Sequence, residues 1–129
     1  VSSQPLTFAS LPPLKQPLEG GIFCGVITLT DGKHYAVVKL DAKPDERLPW
    51  KAAMEWAKKV GGQLPSRAVA ALLFSVAKDL FEPDWHWTCE PFGSSCAWGC
   101  GFGSCGQYCY TASYAGCAMA VRLIPLEAA

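Results

Sequence analysis

The order of hydrophobic periodicities along this chain predicts an α+β domain in which two helices pack on a twisted antiparallel sheet with long connecting loops. Three observations carry that prediction: a hairpin signal near the start, two apolar stripes at helical spacing in the middle, and alternating strand-like runs from residue 85 onward. With 129 residues, half of them hydrophobic, the chain can bury one real core and is too short for two ordinary domains.

Residues 1–19 carry Pro5, Pro12, Pro13 and Pro17, which interrupt ladders and helices, so the segment reads as an extended arm lying across a surface or toward a neighbour. The domain proper is placed at 20–129. Its first element is "IFCGVITLTDGKHYAVVKL", two β-rich runs around Asp31-Gly32, a pair suited to the positive φ angles of a type I′ turn. His34, at the start of the second run, reads as surface decoration rather than a ligand.

After the polar loop "KPDERLP", apolar residues at Trp50, Ala53, Met54, Ala57 and Val60 mark one helical face, stopped by Gly61-Gly62. Ser66 is the predicted N-cap of a second helix. Its stripe is Val69, Leu72, Leu73, Val76, Ala77 and Leu80, ending before Pro83. Val69 stands where a capping box needs Glu or Gln, so only the simple cap is expected. Next, "DWHWTCE" alternates Trp85, Trp87 and Cys89 against His86 and Thr88, the period of a half-buried strand, with both tryptophans in the core. The last run, "AMAVRLIPL", is again strand-like, and Pro125 suits an edge or a strand end.

Lys and Arg balance Asp and Glu at 11 each, which removes the long-range field a nucleic-acid binder uses, so no nucleic-acid partner is expected. No apolar run approaches a bilayer span and the first residues lack the pattern of a secretion signal, so a soluble protein without membrane insertion is expected.

From Ser94 to Cys117 there is no charged residue and no Leu, Ile, Val or Met. The large side chains there are Trp98, Phe102, Tyr108, Tyr110 and Tyr114, set among Gly, Ser, Ala and Cys, a mixture like that of antibody combining loops. Cys96, Cys100, Cys105 and Cys109 follow a C-x3-C-x4-C-x3-C spacing that leaves a zinc or iron–sulfur site open, although it is not the tight pair of zinc ribbons. Disulfides are a second alternative, and the odd count of seven cysteines favours free thiols as the default. A catalytic cysteine needs a base, and the only histidines are His34 and His86. No nucleophile elbow, phosphate loop or dinucleotide fingerprint occurs. No catalytic residue, metal ligand or cofactor is therefore assigned. If Trp98, Cys100 and Phe102 point to the core, Gly99, Gly101 and Gly103 form an outward row.

The series "GGIFCGVI", "WKAAMEWAKKVGGQLPSR", "LLFSVAKDLFEPDWHWTCE", "CAWGCGF" and "AMAVRLIPL" resembles the small C-type-lectin-fold variable proteins of phages and bacteria, many of them encoded beside diversity-generating retroelements. The resemblance runs from about Gly20 to Leu126 and implies a C-type-lectin-like scaffold with its binding surface at about 94–117. In diversified members, adenine-directed mutagenesis makes chosen surface positions Tyr, Ser, Gly, Ala, Cys or Thr. Cysteine is then a sampled letter rather than a ligand. Cys117 and Met119 depart from the arginines frequent in relatives, leaving Arg122 as the basic residue of that strand.

The reading that follows is a non-enzymatic ligand- or receptor-binding protein, an adhesin or display module whose partner is a protein or cell-surface ligand, virion-associated or displayed on a cell. The expected ligand-binding residues are Cys96, Gly99, Gly101, Gly103, Ser104, Cys105, Tyr108, Tyr110, Ser113 and Tyr114. Calcium is not implied, because the segment lacks clustered acidic and amide oxygens. Alternatives are a structural assembly protein of a phage particle, forming a homo-oligomer, and a cysteine-based metal or redox protein.

Overall fold

The computed structural model describes residues 5–103 and 106–127. It is an α+β domain with two helices and two antiparallel sheets. Strands β1 (Pro17–Leu18), β2 (Gly21–Thr28), β3 (His34–Leu40) and β7 (Val121–Pro125) form the first sheet in the order β1-β2-β3-β7. Strands β4 (Trp85–Phe92), β5 (Cys96–Gly101) and β6 (Gln107–Thr111) form the second, with β6 at an edge. Helices α1 (Trp50–Lys59) and α2 (Arg67–Ala77) lie between the hairpin and β4 in sequence.

The hairpin forms where expected, with a different turn. Leu29 N–H donates to Lys33 O and Gly32 N–H donates to Leu29 O, and among Thr30, Asp31 and Gly32 only Gly32 has positive φ, at 79°. That is a three-residue loop with a left-handed glycine rather than a two-residue type I′ turn. Asp31 instead spends its side chain on Lys33 N–H (2.8 Å) and on the Tyr35 hydroxyl (2.7 Å).

The described part of the arm is docked. Pro17 does not interrupt pairing, because it faces Ile22 in the short edge strand β1, where a missing N–H costs nothing. Lys15 N–H donates to Phe23 O and Phe23 N–H to Gln16 O, while Glu127 N–H donates to Leu6 O. Arg122 donates to Glu19 O at 2.8 Å and so holds the turn into β2.

Both helices form on the faces their spacing predicts. In α1, Ala53 and Ala57 are buried and Trp50, Met54 and Val60 pack around them. In α2, capped by Ser66 Oγ accepting from Val69 N–H at 3.1 Å, the buried residues are Val69, Ala70, Leu73 and Ala77. Strand β3 alternates between the two helices. Val37 joins α2, Met119 and Val121 in one core cluster, and Val38 and Leu40 join α1, Trp87, Ala118 and Ala120 in the other.

The expected half-buried β4 is covered on both faces. His86 and Thr88 are as buried as Trp87, because His86 packs against Phe81 and Phe102 while Trp87 packs toward α1. Trp85, expected in the core, is only partly buried and stands edge-on to Trp87 with 4.8 Å between ring centroids.

Candidate functional site

The alternation of β5 and β6 decides which residues share a surface. Ala97 pairs with Tyr110 and Gly99 with Tyr108, so these four lie on one face with Trp85 and Trp87. Cys96, Trp98, Cys100 and Cys109 lie on the other, toward α2.

On the first face, Tyr110 lies flat on Trp85, 3.9 Å between centroids and 8° between planes. Tyr108 beside it is 53% exposed, and Tyr114, in the turn after β6, is 57% exposed. Ser113 is exposed next to it. Burial pushes the Tyr110 hydroxyl above its ordinary range, so the platform is uncharged at neutral pH. Two glycines let this stack form. A Cβ on Gly99 would lie 2.9 Å from atoms of both the Trp85 and Tyr110 rings, and one on Gly116 would lie 2.4 Å from the Trp85 ring.

The expected outward row of bare glycines is corrected accordingly. Gly99 is roofed by two aromatic rings and Gly101 is buried, whereas Gly103 is exposed with its Cβ direction blocked by Pro83 O at 2.9 Å. Phe102 and Cys100 do point into the core. Trp98 is only half-buried, sandwiched by the Arg67 guanidinium at 3.7 Å from its centroid and by the edge of Phe92. Cys96 is half-buried on the face opposite Tyr108 and Tyr110, so it does not share a surface with them. Ser104 and Cys105 lie outside the described residues.

The cysteine spacing does not converge on an ion. Cys96 and Cys100 flank Trp98 on one strand, about 13 Å apart at the usual strand rise. Among the described residues no group of three or more His, Cys, Asp or Glu side chains could hold a metal. Cys24, Cys89, Cys96, Cys109 and Cys117 are free thiols. Burial pushes those of Cys24, Cys89 and Cys117 above the usual thiol range.

Beside the aromatic face opens a cleft of about 470 Å³ lined by Lys43, Arg47, Glu82, His86 and Cys117. Arg47 pairs with Asp84 at 2.5 Å and holds that carboxyl below the usual range, while Lys43 lies 3.6 Å from Glu82. Sequence reading took Lys43–Arg47 as a plain polar loop. The opposite charge pattern of Glu82 and Asp84, far along the chain, is the signal that could have paired them. The cleft is lined by both a cysteine and a histidine, Cys117 and His86, and burial disfavours the charged form of each. Burial depresses His86 to about 4, its Nδ1 donates to Asp84 O at 3.1 Å, and the Cys117 thiol donates to Glu82 at 3.7 Å.

Neither a protein-family model nor a curated protein matches this chain. Among the described residues no helix is long and apolar enough to cross a membrane.

Proposed function

We propose that this protein is a non-enzymatic binding module of C-type-lectin-like architecture that presents the β5–β6 face and the turn after it to a protein or cell-surface ligand. The observation that carries this reading is the exposure of Tyr108 and Tyr114 around the Trp85–Tyr110 stack, within a stretch that has no charge. Tyrosine supplies large contact area for the loss of two side-chain torsions, and a stacked base keeps it pre-organised. Two helices, two antiparallel sheets and a long, irregular segment between β6 and β7 support the lectin-like architecture. Burial disfavours both a Cys117 thiolate and the His86 imidazolium that would hold it as an ion pair, which favours recognition over cysteine catalysis.

Only part of the surface is suited to diversification. Tyr108, Cys109, Ser113 and Tyr114 are exposed, whereas Gly99 and Gly116 are fixed by the rings against them. Two measurements test the proposal. Labelled protein is screened for binding to intact bacterial cells and to immobilised surface proteins, and Tyr108→Ala and Tyr114→Ala are each expected to weaken the binding found by about 30-fold at unchanged thermal midpoint. Binding indifferent to both tyrosines, or turnover abolished by Cys117→Ala, would overturn it. Sequencing the locus tests the diversification itself: a near-copy of the segment for residues 94–117, differing at adenines beside a reverse transcriptase, is the expected finding, and its absence removes that part of the proposal.

A further inference from the structure

The edge of the second sheet carries chemistry that the aromatic face does not use. In the β5–β6 ladder, Gly101 N–H donates to Gly106 O and Ala112 N–H donates to Ser95 O, which fixes the phase of the bonding. Antiparallel partners alternate between bonded and non-bonded pairs. Tyr108 and Tyr110 therefore bond to β5, and the amides and carbonyls of Gln107, Cys109 and Thr111 point away from it. Among the described residues, the one backbone bond made by these outward groups is Thr111 O accepting from Tyr114 N–H. Among the described residues no strand lies beyond β6.

Edge strands are ordinarily protected by a charge, a proline, a bulge or a covering element. Strand β6 reads Gln-Tyr-Cys-Tyr-Thr, with no charge and no proline, and its pairing with β5 has no bulge. The first sheet differs at this point, since β1 carries Pro17 and β7 carries Arg122 and Pro125.

We infer that β6 pairs with β6 of a second copy of this chain, antiparallel and centred on Cys109, to form a two-fold dimer with a continuous six-stranded sheet. The register follows from the outward groups. With Cys109 opposite its own copy, Gln107 falls opposite Thr111, and every outward N–H meets an outward carbonyl. On the aromatic face the same register sets Tyr108 opposite Tyr110 of the other copy twice, in the closer, non-bonded positions where aromatic cross-strand pairs contribute most. The absence of charge matters here, because a two-fold axis sets each residue near its own like. A charged strand would repel itself, and this one does not. The dimer also joins two tyrosine surfaces into one, although the inference stands on the strand edge and not on the binding role.

Sedimentation of the full chain over rising concentration tests it. A reversible monomer–dimer equilibrium is expected, with amide-exchange protection at Cys109 growing in step with the dimer. Cys109→Lys sets two ammonium groups across the axis, and Cys109→Pro removes an N–H that β5 does not use, so each should abolish the dimer. Cys109→Lys alone decides the matter if the proline variant fails to fold. Cys109→Ser should dimerise as before. With oxidised glutathione as electron acceptor, the two axial thiols should lose two protons and two electrons to form one disulfide, releasing two glutathione thiols, and the cross-linked peptide should join Cys109 to Cys109. A monomer at every concentration, a dimer that survives Cys109→Lys, or a cross-link through another cysteine overturns the inference. Tyr114 lies beyond the strand and Tyr114→Ala keeps the N–H that bonds Thr111 O, so this variant probes ligand binding with the edge unchanged, and the two proposals fail separately.

Discussion

His86 sits between the Phe81 and Phe102 rings at 5.6 and 5.0 Å, with its Nδ1 donating to Asp84 O. Burial disfavours the imidazolium and lowers its pKa from 6.5 to about 4 in the folded protein. Between those two values the unfolded chain binds a proton that the folded chain does not. The His86 contribution to stability is therefore full above pH 6.5, falls as the pH drops toward 4, and levels off below, a loss on the order of 3 kcal/mol. Glu82 and Asp84 pull the other way and limit the effect, whereas Arg47 adds to it. Denaturant midpoints across this window should show the slope, and His86→Phe should flatten it; a wild-type midpoint that stays level between pH 6.5 and 4 refutes the assignment. The sequence gives His86 as the polar half of an alternating strand, which is why its burial was not legible. Period-two alternation tells which residues share a face and does not tell whether a second layer covers the polar one.

Arg67 joins an element to a sheet. Its backbone N–H, free at the first turn of α2, donates to Glu90 Oε2 at 2.8 Å, its Nε donates to Gln107 Oε1 at 2.9 Å, and its carbonyl accepts from Gln107 Nε2 at 2.8 Å. The guanidinium covers Trp98. Arg67→Ala removes the side-chain hydrogen bond and the cation–π contact and should cost about 1–3 kcal/mol. Arg67→Lys, which keeps the charge but not the planar fork, should recover only part of that loss. Chemical denaturation of both variants checks the order, and equal stability of wild type and Arg67→Ala would show that the clamp contributes nothing. The helices were legible because each has its stripe, its stop at Gly61-Gly62 or its cap at Ser66. The clamp was not, since Arg67 and Gln107 are 40 positions apart and neither belongs to a repeating pattern. The same limit explains the candidate site. The uncharged segment and its tyrosines could be read from composition, but the roofing of Gly99 required knowing that Trp85 and Tyr110 meet across three strands.

At the scale of the whole molecule, the two core clusters are separate in membership yet share their backbone. β3 gives Val37 to one and Val38 and Leu40 to the other, and the segment leading into β7 divides in the same way, Met119 and Val121 against Ala118 and Ala120. A strand cannot leave one layer while holding its place in the other, because adjacent residues point to opposite faces. Side-chain bonds reinforce this: Trp87 Nε1 donates to Leu48 O at 2.7 Å and Trp50 Nε1 to Thr88 O at 2.9 Å, so the loop before α1 and the first residue of the helix are fastened to β4. The chain should then unfold in one cooperative step. Leu73 is fully buried in the cluster of α2, so Leu73→Ala removes its packing and leaves a cavity, at about 2–5 kcal/mol. That is a large fraction of the roughly 5–15 kcal/mol by which domains are stable. Although Leu73 belongs to one cluster and Trp87 to the other, tryptophan fluorescence and far-ultraviolet circular dichroism should shift to lower denaturant together and remain superimposable in this variant. Two separated transitions, with the tryptophan signal native after helix has melted, would mean that the layers fold independently and that β3 does not couple them.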